Sequence, residues 1–105
     1  MLVAIDIGNS KIKVGFFEDL NQTVSKVSFF DTNIKNITDI SNSINKYIDS
    51  LNKDINLAGC IISSVVPNLN KEISLEINKK LNLSPIFVDS NLITEINFNY
   101  EPVSD

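Results

Sequence analysis

The sequence predicts an α/β fold built on a mixed sheet. Three observations point to it: a pair of apolar runs joined by Gly-Asn-Ser near the N-terminus, a continuous apolar run at residues 57–66, and a stripe of helical period on each side of that run. Leu2 to Ile7 (LVAIDI) is short and apolar, as a central strand buried on both faces should be. Gly8-Asn9-Ser10 is strong turn chemistry. Lys11 to Phe17 (KIKVGFF) sets Ile12 and Val14 against Lys11, Lys13 and Gly15, the alternation of a half-exposed strand. These two runs form a β-hairpin. Glu18 to Gln22 reads as a second turn. Thr23 to Phe30 (TVSKVSFF) alternates again through Val24, Val27 and Phe29, with a slip that suggests a bulge.

The period then changes. From Thr38, which is placed to act as N-cap, Ile40, Ile44, Tyr47, Ile48 and Leu51 recur at helical spacing. Leu57 to Val66 (LAGCIISSVV) suits a strand buried beside the first. Pro67 ends it and can open a helix, since a first helical residue has no use for its missing N–H. Leu69, Ile73, Ile77 and Leu81 make an i, i+4 stripe, and Pro85 to Val88 (PIFV) is a further short strand. Ser90 to Tyr100 fits no single element, with an extended piece at Ile96 to Tyr100 as one reading of its end. The order is β-β-β-α-β-α-β: three antiparallel strands, then helices alternating with strands that add in parallel. This is the ribonuclease H-like order of the actin and sugar-kinase superfamily. Nucleases, actin-like ATPases and sugar kinases share it, so it does not give the function by itself.

Bulk properties narrow the field. The length of 105 residues suits one domain, assigned to residues 1–105. Nine basic against thirteen acidic residues, a net charge of -4, argue against non-specific nucleic-acid binding. Histidine is absent and Cys60 is the one cysteine, which removes cysteine-rich and histidine zinc sets and a histidine-based triad within the chain. Cys60, on the apolar strand, reads as a small core residue. No basic leader precedes Leu2 and no apolar run approaches about 18 residues. The expectation is a cytoplasmic protein with no membrane span.

Chemistry concentrates at the first turn. Asp6 is a charge inside an otherwise apolar strand, where an unpaired carboxylate is costly. Its position brings it out near the carboxyl end of that strand. Gly8 allows close approach of a ligand to the backbone, and Asn9 and Ser10 add short polar groups to a set of backbone N–H donors. Concave sets of such donors bind phosphate oxygens. A nearby carboxylate can hold Mg²⁺, which usually arrives with phosphates. The same five residues also fit an ordinary hairpin turn in which Asp6 caps backbone N–H groups. Lys11 and Lys13 fit either added positive charge beside a polyphosphate or a solvated strand face.

Asp6-Ile7-Gly8-Asn9-Ser10, so close to the N-terminus, resembles the phosphate loop of type III pantothenate kinases, the Bvg accessory factor family. Ile61-Ile62-Ser63-Ser64-Val65-Val66-Pro67 resembles that family's strand ending in Ser-Val-Val-Pro, Pro85-Ile86-Phe87-Val88 its next strand, and Ile96-Asn97-Phe98-Asn99-Tyr100 its extended piece with a substrate-contacting tyrosine. The four occur in the family's order across residues 1–105. The resemblance implies that Asp6, Ile7, Gly8, Asn9, Ser10, Lys11, Ile12 and Lys13 form the ATP-phosphate segment, with Asp6 organising Mg²⁺. Ser10 stands where Thr is more usual and keeps the hydroxyl. Tyr100 and Val66 match the pantothenate pocket, although strand-end packing explains Val65, Val66 and Pro67 equally well. The implied reaction is ATP-dependent phosphorylation of pantothenate, the first step towards coenzyme A.

The departure lies at the other end. In the family the tyrosine segment leads into Gly-x-Asp-Arg, whose Asp is the proposed general base and whose Arg binds pantothenate. Residues 102–105 read Pro-Val-Ser-Asp, and Asp105 aligns with the acidic residue just before that motif. The family's C-terminal half, with its monovalent-cation site for K⁺ or NH₄⁺, is not in the sequence either. The expectation is therefore the N-terminal half of a kinase, with no catalytic base of its own and inactive alone. The remaining half is expected from a second polypeptide in a hetero-oligomer, or from the rest of a longer chain. A non-catalytic scaffold or regulatory module retaining the fold is the competing expectation. An actin-like ATPase half ranks lower, and a two-metal nuclease lowest, since Asp6 is the one obvious strand-end acid.

Overall fold

The computed structural model describes residues 1–17, 26–51 and 57–88. Five strands and two helices follow in chain order: β1 (Leu2–Ile7), β2 (Lys11–Phe17), β3 (Lys26–Asp31), α1 (Ile37–Ser50), β4 (Gly59–Ser64), α2 (Pro67–Leu81) and β5 (Ile86–Phe87). The sheet runs β3-β2-β1-β4-β5. β2 pairs antiparallel with β1 and β3, while β4 pairs parallel with β1 and β5. This is the mixed sheet that the order of elements predicts.

The period-two alternation of the strands sorts side chains onto two unlike faces. Val3, Ile5 and Ile7 of β1, Ile12, Val14 and Phe16 of β2, and Cys60 and Ile62 of β4 point to one side. Ile37, Ile40 and Ile44 of α1 and Leu69, Ile73 and Ile77 of α2 close over them as one core. Ile5, Ile12, Val14, Phe16, Ile40, Ile44, Ile62, Ile73 and Ile77 are all fully shielded from solvent. On the other side Ala4 and Phe17 form a small cluster with Leu2, Ile61 and Val88. Asp6 shares that second side by alternation with Leu2 and Ala4.

Burial also settles Cys60. Its surroundings push the thiol up to about 12, so it stays a neutral, small core group.

Several boundaries differ from the sequence-based expectation. Helix α1 begins at Ile37 with Asn36 as N-cap, and Asn36 makes no side-chain capping bond, so Thr38 is not the cap. The chain leaves β3 through a 3-10 turn at Ile34–Asn36. There the Asn36 side-chain amide donates to the Asp31 carbonyl at 2.8 Å and the Asn33 side chain accepts from the Lys35 N–H at 2.9 Å. These asparagines wind the backbone into helical geometry before Thr38 is reached. Between Lys26 and Asp31 the pairing with β2 is continuous, with no bulge. The slip in alternation lies between Val24 and Val27 and falls partly outside the described residues; Phe29 is half-exposed on the second face and Phe30 packs on the core. Residues 18–25, which include the expected turn at Glu18–Gln22 and the start of the third strand, lie outside the described residues.

Strand β4 is shorter than the apolar run around it. Leu57 packs on the core ahead of the strand. Ser64 ends it, because its hydroxyl accepts the Val66 N–H at 3.0 Å and turns the chain. Pro67 then occupies the first turn of α2, as expected. The helix closes on Asn82 in the left-handed region (φ 55°), whose N–H returns to the Asn78 carbonyl at 3.0 Å. Only Ile86 and Phe87 of the expected 85–88 run count as strand; Pro85 has no N–H to give a ladder.

Candidate phosphate-binding site

The carboxyl ends of β1 and β4 lie side by side because the two strands are parallel and in register from Leu2/Gly59 to Ile7/Ser64. In open α/β sheets the crevice beyond such ends is where ligands bind. Two turns meet at this edge. One is the β1–β2 hairpin at Gly8-Asn9-Ser10; the other is Ser64-Val65-Val66-Pro67. The Val65 N–H donates to the Ile7 carbonyl at 3.0 Å and ties them together.

The hairpin is closed by the Gly8 N–H donating to the Lys11 carbonyl at 2.9 Å. Asn9 and Ser10 are exposed at its tip. No glycine among the described residues has a positive φ, so backbone strain does not demand glycine at position 8. What Gly8 provides is a turn free of a side chain beside the strand end.

Ile7 and Ile12, at the stems, are buried in the main core. Their side chains hold the hairpin on the helices, and a ligand can meet only their backbone.

Asp6 stands in a row that crosses the second face of the sheet. Its neighbours by register are Lys13 on β2 and Ser63 on β4, and Lys13 in turn faces Phe29 on β3. The Lys13 Nζ is 3.9 Å from the Asp6 carboxylate, with both side chains partly shielded (21 % and 29 % exposed). This answers how a carboxylate is tolerated inside an apolar strand: it has an opposite charge directly across the sheet. Lys11 lies one pair further along and forms an exposed ion pair with Asp31. Lys13 is thus partly shielded and paired, whereas Lys11 remains on a solvated face.

Asp6, Gly8, Asn9, Ser10, Lys11 and Lys13 thus converge on one corner of the sheet. Val66 is half-buried and packs on the core, whereas Val65 beside it is 56 % exposed. Tyr100 and Asp105 lie outside the described residues. One residue escaped the sequence reading. Thr32, just after β3, donates its hydroxyl to the Gly8 carbonyl and its N–H to the Ser10 carbonyl, both at 2.9 Å. The register of β3 on β2 brings it there, and nothing local in the sequence announces it. The groove of about 530 Å³ lined by Ile37, Thr38, Glu72, Leu75, Glu76, Asn78 and Lys79 belongs to the helix layer and shares no residue with this corner.

The corner suits Mg²⁺ better than a zinc-type ion. Among the described residues no three His, Cys, Asp or Glu side chains gather as a metal cluster. A single strand-end carboxylate is what Mg²⁺ needs when phosphates and waters supply its other oxygens.

Solved structures with the same fold include two of the Ppx/GppA family of Aquifex aeolicus. One, described as a Ppx/GppA phosphatase, has a TM-score of 0.54 at 10 % identity, covering 85 % of this chain and 35 % of its own. The other has a TM-score of 0.56 at 11 % identity, covering 87 % and 35 %. Such likeness establishes the ribonuclease H-like fold. Sequence relatives go further. The type III pantothenate kinase of Sulfurihydrogenibium sp. (strain YO3AOP1) is 29 % identical over 106 residues, which is all of this chain and 42 % of the relative. That of Ehrlichia canis (strain Jake) is 36 % identical over 93 residues, 87 % of this chain and 34 % of the relative. The chain therefore spans well under half the length of these curated relatives. A family model described as type III pantothenate kinase matches residues 2–104, and the chain belongs to that family.

Proposed function

We propose that residues 1–105 form the phosphate-holding domain of an ATP-dependent pantothenate kinase. The observation that carries this reading is the convergence of the Gly8–Ser10 hairpin, the Asp6–Lys13 pair and the Ser64–Pro67 turn at one carboxyl corner of the sheet. Phosphoryl transfer asks the protein mainly to position phosphates and to neutralise charge. Backbone N–H groups of the hairpin and the Ser10 hydroxyl donate to phosphate oxygens. The Lys13 ammonium, already drawn to the corner by Asp6, supplies positive charge to them. Asp6 would hold Mg²⁺, directly or through water, and the ion would supply positive charge against the phosphates. Val66 and Tyr100 would contribute to the pantothenate pocket.

The primary hydroxyl of pantothenate loses a proton as it takes up phosphate. The resemblance to the family assigns the accepting carboxylate to its Gly-x-Asp-Arg segment, outside residues 1–105, while Asp6 is paired with Lys13 and reserved for Mg²⁺. The monovalent-cation site for K⁺ or NH₄⁺ and the rest of the nucleotide cleft belong to the same remaining part. That part is supplied by a second polypeptide or by further chain, and the assembled enzyme is cytoplasmic.

A phosphorylation assay tests this. The chain alone should give no phosphopantothenate, and adding the polypeptide that carries the remaining fold should restore turnover. Turnover by the 105-residue chain alone would overturn the placing of the base. Tight association without turnover would favour a scaffold.

A further inference from the structure

We propose that Thr32 is the positioning residue of the phosphate hairpin, acting through the peptide planes of the turn and not on the ligand itself. The inference deepens the phosphate-hairpin reading and rests on it. Thr32 is 24 residues from Gly8 in sequence, yet it makes two hydrogen bonds to the turn. Its hydroxyl donates to the Gly8 carbonyl and its N–H to the Ser10 carbonyl, each at 2.9 Å.

A trans peptide unit is planar, so its N–H points opposite to its C=O. No described peptide bond is cis. Anchoring the Gly8 and Ser10 carbonyls on Thr32 therefore turns the N–H groups of Asn9 and Lys11 the other way. These two amides belong to the residues on either side of Ser10. The Gly8 N–H is spent on the Lys11 carbonyl, which closes the turn. The donors are thus sorted: Gly8 holds the hairpin shut, while Asn9 and Lys11 are presented on the side away from β3. Donors oriented in advance need no reorganisation when a charged phosphate arrives. The Lys11–Asp31 ion pair braces the same junction, but it is exposed and adds little. The hydroxyl is the specific part of the latch, because the Thr32 N–H bond survives any substitution except proline.

The test compares Thr32→Val and Thr32→Ser with the wild type in the assembled kinase. KM for ATP, KM for pantothenate and kcat are measured separately, together with the ¹⁵N amide shifts of Asn9 and Lys11 on adding MgATP. In the wild type both amides should shift. Thr32→Val should raise the KM for ATP roughly tenfold, about what one well-placed hydrogen bond is worth, and leave the KM for pantothenate unchanged. Thr32→Ser should restore the wild-type KM. A general loss of fold would move both KM values and would not be rescued by serine. Thr32→Ala removes the hydroxyl without adding a methyl and serves the same comparison if the valine variant does not fold. Responsive wild-type amides with an unchanged ATP KM in Thr32→Val would overturn the role of Thr32 and leave the hairpin reading standing. Wild-type amides that ignore MgATP would overturn both.

Discussion

One face of the sheet packs a wide apolar core under the helices, and the other has a small cluster of Ala4 and Phe17, with Ser63 buried beside Asp6, and carries a charged row. Under the helices, Val3, Ile5 and Ile7 share one core with Ile40, Ile44, Ile73 and Ile77, and the buried Ser41 hydroxyl is satisfied by the Thr38 carbonyl and the Glu76 carboxylate. On the opposite face Asp6 and Lys13 sit 3.9 Å apart in the same β-ladder that supplies the core. The same two strands therefore do two jobs, divided by a period of two. Substitutions should therefore register in stability on the helix side and in chemistry on the open side.

Ile44→Ala opens a cavity in a fully shielded site and should cost about 3 kcal/mol, read as a lower denaturant midpoint with an unchanged slope. A cost below about 1 kcal/mol would mean that the helix layer is not closed over the sheet as described.

Cys60 lies on the same face and gives a smaller, pH-dependent effect. Burial raises its thiol from 9.0 to about 12. A folded-state pKa above the unfolded one means that the neutral thiol's contribution is complete below pH 9 and is lost as pH rises towards 12. By pH 10.5 the loss should reach about 2 kcal/mol relative to Cys60→Ala, which lacks this slope. Parallel stability–pH curves for the two proteins would place the thiol in water.

Across the sheet, Asp6→Asn should change stability least, by at most about 1 kcal/mol, since the pair it breaks is partly solvated.

The two faces were also unequally legible in the sequence. Alternation in Lys11–Phe17 and the i, i+4 stripe of Leu69, Ile73 and Ile77 mark core positions, because burial imposes a period that any window of the chain displays. Pro67 marked the start of α2 for an equally local reason, its missing N–H. The start of α1 was misread at Thr38, because the Asn33 and Asn36 side chains wind the preceding turn through contacts that a capping rule does not include. At the site, Asp6, Gly8, Asn9 and Ser10 stood out as chemistry-bearing residues in a strand and its turn. Lys13 as the partner of Asp6 follows from the hairpin register. Thr32 was invisible, because its place depends on how β3 registers on β2 across a connection whose geometry no local pattern encodes. The tyrosine segment at residues 96–100 rests on family resemblance alone.

The open corner is proposed to hold phosphate for catalysis, while the opposite face holds the fold. Turnover of the assembled kinase carrying Asp6→Asn, measured beside the unfolding midpoint of the same variant, tests it most directly. Turnover should fall by more than roughly tenfold, a barrier increase above about 1.4 kcal/mol, with the midpoint nearly unmoved. Unchanged turnover would contradict it and return Asp6 to Ser10 to an ordinary hairpin turn.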